Sequence, residues 1–415
     1  MEISGDPMPQ RLLASDQGGL RQRNLAALLA LLRQHDSLTR SELAHMTHLN
    51  PATITRLSRE LIGGGLVCED GLQASPAGRP AIPLRLDAQA GYMIGAEIGF
   101  PTISVIVTDF SPTIVWRTQE TINPQASQDE VLAQAVRIFE AARDFAYQNG
   151  QRVFGLGLGV PGLVDTETGT LLFAPNLHWA DVPLKQELEA HLGIPITVDN
   201  IASVSALGES YFGAAQNHNY VLYLSTQGGL GGRFVTNGSI MRGASGFAGE
   251  VGHMTVTDTG RRCNCGRVGC WETHASQIAL LQRVQELIGS GQASLLSEAT
   301  GGDLSDVTVP MIVEAAQQGD AVAVSALEEI GHWLGVGLAN IINATNPDLV
   351  VIGGVLTLAH EFLLPIIEEV TATETLRWVR KDCEIRLAAH GADTCLFGGV
   401  ATVYRQVLNQ PLEWI

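Results

Sequence analysis

The sequence predicts an α/β body of two lobes with a cleft between them, preceded by a small helical module. Three observations carry this. Residues 1–90 read as capped helices followed by two short strands, whereas residues 91–415 read as short apolar strands, Gly-rich turns and helices. That second texture starts twice, at Tyr92 and again near Tyr220, as expected of two sequential layered units. A chain of 415 residues also exceeds one ordinary core, since a domain takes roughly 100–200 residues. The expected divisions are a winged helical module at 17–88, a first lobe at 91–200 and a second at 201–415, with a return of the C-terminal helix to the first lobe left open.

The elements follow in order. Residues 1–19 are polar and are expected to be mobile. Leu25, Leu28, Leu29 and Leu32 recur at i, i+3, i+4, i+7, one face of a helix. Thr39-Arg40-Ser41-Glu42 is a T-x-x-E capping box that opens a second helix. After a turn at His48-Leu49, Asn50-Pro51 supplies a cap and a first-turn proline for a third. Its buried stripe is Ile54, Leu57, Leu61 and Ile62, and Gly63-Gly64-Gly65 ends it. Leu66 to Cys68 and Ile82 to Leu86 read as strands around a hairpin wing.

In the body, Tyr92 to Gly99, Ile103 to Phe110 and Ile114 to Thr118 read as a meander. Ser127-Gln128-Asp129-Glu130 caps a helix running to about Tyr147, and Val153 to Gly159 is a strand. The second set comprises Val221 to Leu224, Gly232 to Thr236, helices at 275–289 and 321–345, and a strand at Leu349 to Ile352. No short-period repeat is present.

Composition narrows the function. Apolar residues make up 45%, enough for large cores. No run approaches the ~18 apolar residues of a membrane span. Met1-Glu2-Ile3-Ser4 lacks a secretory pattern, so a soluble, cytoplasmic protein is expected. A net charge of −18 disfavours nonspecific nucleic-acid binding by the whole chain. The charge is uneven, however. Residues 1–90 are neutral overall, and segment 21–59 carries six Arg against Asp36 and Glu42.

Two helices joined by a short turn and backed by a third match a helix-turn-helix. Arg40 and Ser41 start its first arm. Thr53, Thr55, Arg56 and Arg59 lie on the outer face of the recognition helix, and Arg79 lies on the wing. Arg reads guanine bidentately, and Thr contacts thymine methyls or phosphate. The alternative is a small helical adaptor with a solvated polar face. Such domains act as dimers on spaced half-sites, so operator DNA is the expected partner.

Of six cysteines, Cys263, Cys265 and Cys270 fall within eight residues, with His253 ten residues upstream of the first. One imidazole and three thiolates make the ligand set of a closed tetrahedral zinc. Full occupation by protein leaves no open position, so the expected Zn2+ is structural. A metal-free reduced cluster is the alternative.

These residues sit in a longer signature. Gly249-Glu250-Val251-Gly252-His253, followed by Cys263-x-Cys265-Gly266-x-x-Gly269-Cys270-x-Glu272, resembles that of the ROK family of repressors and sugar kinases. Gly243 to Phe247, Gly157-x-Gly159-Val160-Pro161-Gly162 and Pro175-Asn176-Leu177-x-Trp179 fit as well. The helix-turn-helix with Gly78-Arg79-Pro80 resembles the repressor branch. The resemblance implies an actin-like ATPase fold with a sugar bound between the lobes. It also implies effector contacts from Asn200, Glu250, His253 and Glu272, with His253 serving metal and sugar through different nitrogens.

The family's kinases place an Asp base after an Asn. Aligned through Leu207-Gly208-Glu209, that position here is Ile201, which cannot accept a proton. Asp199 lies two positions away, about 7 Å along an extended chain. In the phosphate loops, Phe100 and Pro101 replace small donor-bearing residues, and Gln227-Gly228 replaces Gly-Thr. The expectation is therefore a sugar-responsive transcriptional regulator of carbohydrate metabolism genes, in the main reading a repressor without enzyme activity, as a homodimer or homotetramer. The alternatives are a ROK sugar kinase retaining a DNA-binding domain and a regulator controlled by a partner protein.

Overall fold

The structure is a computed structural model that describes residues 17–71, 82–99, 101–174 and 177–415. Residues 1–16 of the stretch expected to be mobile, most of the wing with Arg79, Phe100 and the pair Pro175-Asn176 lie outside the described residues, whereas Gln17 to Gly19 of that stretch are helical.

The N-terminal module is α1 (Gln17–His35), β1 (Leu38–Thr39), α2 (Arg40–Thr47), α3 (Pro51–Gly63), β2 (Val67–Glu69) and β3 (Pro83–Leu86). Both expected helix starts are built as the residues demand. Thr39 and Glu42 exchange the two hydrogen bonds of a capping box, and His48 ends α2 in the left-handed region. Asn50 Oδ1 accepts from Thr53 N at 2.8 Å, with Pro51 as the first helical residue. β1 carries no signal in the sequence, being two residues long, yet it completes a sheet of order β1-β3-β2.

The lobes repeat one topology. β4 (Tyr92–Ile98), β5 (Thr102–Thr108) and β6 (Ile114–Thr121) form an antiparallel meander. β7 (Val153–Val160) and, after the small sheet of β8 (Leu163–Asp165), β9 (Thr170–Ala174) and β10 (Trp179–Val182), β11 (Ile196–Asn200) join β4 in parallel. The order is β11-β7-β4-β5-β6. In the second lobe β12 (Tyr220–Ser225), β13 (Gly231–Thr236) and β14 (Ser239–Ile240) are the meander, and β15 (Leu349–Gly353) and β16 (Glu384–Leu387) the parallel additions. Their order, β14-β13-β12-β15-β16, is the same arrangement. This duplicated sheet is that of the actin-like ATPases. The parallel steps need crossovers, and α4 (Gln128–Gln148) supplies one after the Ser127 capping box.

α5 (Leu184–Leu192) covers lobe 1, while α6 (Ile201–Phe212) lies between the lobes. Ala206 of α6 packs with Tyr223 and Val235 of the lobe 2 sheet. The C-terminal helix Thr394–Asn409 returns to lobe 1 and packs on β4, β7 and α6. Glycines make this approach possible, because a Cβ on Gly157 would lie 2.1 Å from Gly399 O.

The central strands of the lobe 1 sheet are buried on both faces, while β6 alternates half-buried with exposed residues. Ile103, Val105 and Val107 of β5 lie on the α4 side of the sheet, whereas Ile106 shares a core with Val400, Val403, Tyr404 and Val407 of the C-terminal helix. Leu25, Leu28, Leu43, Ile54 and Leu57 of the N-terminal module belong to that same core. The module is therefore fused to the body by continuous apolar packing. No helix among the described residues is long and apolar enough to cross a membrane.

Candidate functional site

The long connection from β14 to β15 carries the densest chemistry. Gly249 adopts φ +101°, and a Cβ there would lie 2.2 Å from Gly232 O. Glycine thus lets the Glu250 segment lie against β13, held by Gly232 N donating to Gly249 O at 3.0 Å. His253 follows on a short 3-10 turn, Val251–His253. The cysteine loop closes on it through bridges Thr255–Cys270 and Arg262–Val268. Gly269, at φ +77°, leaves room for Thr257 O.

The result is one cluster. The donor atoms of His253, Cys263, Cys265 and Cys270 all lie within 4.8 Å of one another. Cys265 and Cys270 sulfurs are 3.5 Å apart, and Cys263 Sγ is 3.6 Å from His253 Nδ1. These spacings approximate the edges of a tetrahedral ligand set, about 3.6–3.8 Å for metal–sulfur bonds of about 2.3 Å. Hydrogen bonds from the backbone and side chain of Arg267 hold the Cys265 thiol down to about 6. Burial instead pushes the Cys263 and Cys270 thiols up, Cys263 also donating to Glu272 Oε1 at 2.8 Å, so a cation has to draw those two protons off to take all three thiolates. The sequence-derived quartet can therefore hold a metal ion.

The four residues expected to meet a sugar are reachable to different degrees. His253 and Glu272 are half-buried neighbours, with His253 Nδ1 3.4 Å from Glu272 Oε1. Nδ1 is the nitrogen that faces the cysteines, so Nε2 remains as the second polar atom of the ring. The Glu250 side chain is 44% exposed, and its Oε1 accepts from Arg233 Nη2 at 3.1 Å. Asn200 ends β11 and caps α6. Its Oδ1 accepts from Ala202 N at 2.9 Å, and its Nδ2 donates to Gly162 O at 2.7 Å. Its amide thus already serves the fold, with accepting capacity remaining on Oδ1.

Ile201 is the first residue of α6 and half-buried. The adjacent carboxylate is committed elsewhere: Asp199 Oδ2 accepts from Arg242 Nη2 at 2.6 Å, and Oδ1 from Asn200 N at 2.7 Å. Near the end of β4, burial pushes the Glu97 carboxyl up to about 7. On the loop after β12, Gly229 faces Glu272, whose Oε2 would lie 3.1 Å from an added Cβ. Sequence reading passed over Arg233 and Arg242 as site residues. The first stands in a Gly-rich run and the second in a turn, and nothing local marks their distant partners.

In the N-terminal module, Arg56 and Arg59 are exposed on α3, Ser41 is exposed, and Arg40, Thr53 and Thr55 are half-buried. Arg40 pairs with Glu69 at 2.7 Å, and Arg56 with Glu60 at 2.8 Å. Pairs this exposed contribute little, so phosphate can displace either carboxylate at small cost.

Comparison with known proteins extends this. Residues 93–406 match the model of the ROK family, and residues 22–68 that of the MarR family. The xylose repressor of Bacillus subtilis strain 168 is 32% identical, over 84% of this chain and 86% of that protein. The DNA-binding transcriptional dual regulator NagC of Escherichia coli K12 is 30% identical, over 94% of each. A solved ROK family transcriptional regulator, a homologue of the E. coli MLC protein, superposes with a TM-score of 0.83. It is 28% identical and matches over 95% of this chain and 98% of that one.

Proposed function

The chain belongs to the ROK family, and from that premise we propose that it is a sugar-responsive DNA-binding transcriptional repressor of carbohydrate metabolism genes. Its kinase-like body serves as the effector receptor, and it works in the cytoplasm. A relative named a xylose repressor and one named a DNA-binding transcriptional dual regulator match along most and nearly all of the chain. The observation that carries the reading is the continuous core joining the helix-turn-helix to a two-lobed body that keeps Glu250, His253 and Glu272 while presenting Ile201 at the base position.

In this reading Arg59 and Arg56 of α3 contact DNA, with Thr53, Thr55, Arg40 and Ser41 at the phosphate margin and Arg79 on the wing. Two copies of the module match two half-sites, so the working form is a homodimer or a tetramer built from dimers. Asn200, Glu250, His253 and Glu272 grip sugar hydroxyls, the carboxylates as acceptors.

Zn2+ suits the metal quartet, since three thiolates and an imidazole are its structural ligand set. When bound, zinc supplies a fixed crosslink and no reaction chemistry. His253 and the loop ending at Glu272 are the groups it holds in place.

Phosphotransfer is absent in this reading. Ile201 accepts no proton, Asp199 is tied to Arg242, and Pro101 offers no N–H to a phosphate. Loss of a general base alone costs about 10²–10⁴-fold in rate. The test is calorimetry of the full-length protein against D-xylose, D-glucose and N-acetylglucosamine, paired with a coupled ADP-release assay on the same sugars. Binding without turnover is expected. Failure of all sugars to bind overturns the receptor role. ADP release at ordinary enzymatic rates, about 1 s⁻¹ or faster, makes the chain a kinase.

A further inference from the structure

Two arginines of lobe 2 tie down the start of α6. Arg233, on β13, is only 6% exposed. Its Nε donates to Ser203 Oγ at 2.9 Å, its Nη1 to Gly232 O at 2.7 Å and its Nη2 to Glu250 Oε1 at 3.1 Å. Arg242, just after β14, reaches Asp199 at the end of β11. Asp199 and Ser203 bracket Asn200 and Ile201, so both ties converge on one turn.

A buried guanidinium is tolerated only when its donors are satisfied. Ser203 is 3% exposed, and Gly232 O lies within β13. Glu250, with its side chain 44% exposed, is the partner of Arg233 that solvent, and so a ligand, can reach. A hydroxyl can donate to Oε2, or to the second lone pair of Oε1, without displacing Arg233, and it acts on Arg233 by drawing the carboxylate toward itself and lengthening the bond to Nη2. Arg233 is planar and rigid at the fork, so a change at Nη2 is felt at Nε and hence at Ser203.

The element that receives it is well placed. α6 packs on the C-terminal helix so closely that a Cβ on Gly398 would lie 2.0 Å from Val204 O. That helix contributes Val400, Val403, Tyr404 and Val407 to the core of the DNA-binding module. Close-packed elements shift as units rather than deform.

We propose that Arg233 is a positioning residue of the effector response: it fixes the Glu250 carboxylate for the sugar and conveys its occupancy to α6 through Ser203. This rests on the reading of the cleft as a sugar receptor.

The test uses the full-length zinc-loaded protein, three sugars (D-xylose, D-glucose and N-acetylglucosamine) and a duplex that the wild type selects from a random library. Sugar affinity is measured by calorimetry without DNA, and duplex affinity by fluorescence anisotropy with and without saturating sugar. The wild type is expected to lose ~10–100-fold in duplex affinity when the sugar binds. Ser203→Ala, which leaves Nε of Arg233 unpaired, should weaken sugar binding by less than ~10-fold and keep sugar-free duplex affinity within ~3-fold, while the sugar-induced change shrinks below ~3-fold. Arg233→Lys, which keeps the charge but not the fork, should weaken sugar binding by ~10-fold or more and lose the response too. A Ser203→Ala protein that responds like wild type overturns the link, as does one whose sugar affinity collapses together with its response. A wild type that takes none of the sugars overturns the receptor reading and this link with it.

Discussion

The two lobes share a strand order and are braced in different ways. In lobe 2 the connection between β14 and β15 has grown to hold the metal quartet, Glu250 and Glu272, and the loop is closed by side chains around a small polar centre. In lobe 1 the matching crossover is α4, which carries none of these groups. Its free sheet face instead receives the C-terminal helix, with backbone against backbone at Gly95, Gly157 and Gly399. One sheet topology thus carries the cysteine loop in one half and packs against the helix-turn-helix module in the other. What hangs on its strand ends and free face sets the difference, and the fold alone does not.

Breaking the brace of lobe 2 should give the largest effect. Cys265→Ser removes one of the four candidate metal ligands, and structural zinc sites contribute about 10 kcal/mol or more in small metal-dependent domains. Expected are loss of bound zinc by elemental analysis and loss of the sugar response. Sugar-free duplex binding, which depends on the other half, should persist. A metal-free variant that still responds to sugar would detach the metal from the effector site.

The brace of lobe 1 should fail at Gly399→Ala. The added methyl would sit 2.3 Å from Gly157 O, and overpacking against backbone costs about 3 kcal/mol. Urea unfolding should show it, with duplex affinity falling more than sugar affinity. The reverse order of effects would show that the C-terminal helix serves the cleft first.

Smaller still is the joint between lobe 1 and the DNA-binding module. Arg152, at the edge of β7, donates to Ala90 O at 2.5 Å, Gly64 O at 3.0 Å and Trp414 O at 2.7 Å. Its guanidinium lies 4.7 Å over the ring of Phe154. It therefore holds the C-terminal end of α3, where a cation also suits the helix dipole. Arg152→Met should cost about 2 kcal/mol and weaken duplex binding at unchanged sugar affinity. Calorimetry and anisotropy on one preparation separate the two.

Much of this was legible in the residues. The capping boxes at Thr39 and Ser127 and the Asn50-Pro51 start form as their spacing demands, because a cap involves only residues two or three apart. The same holds for the metal cluster, whose four ligands lie within eighteen residues of chain. Asn50 and Asn200 show where legibility stops. Both cap helices with the same amide oxygen, but one opens onto solvent and the other sits between two lobes. The small sheet β8-β9-β10 and the two-residue β1 escaped notice because strands this short carry too little periodicity.

The sequence by itself determined the helix starts, the gathering of His253 with Cys263, Cys265 and Cys270, and the doubled sheet. All are properties of neighbours in the chain or of a repeated local pattern. Only the tertiary structure decided that Arg233 meets Ser203 across 30 residues, that Arg242 meets Asp199 across 43, and that Arg152 meets Trp414 across 262. It also decided that the DNA-binding helices share their core with the last helix. Such pairings depend on how whole sheets and helices stack, and no spacing along the chain encodes where a long, flexible arginine finds its acceptor once the layers close.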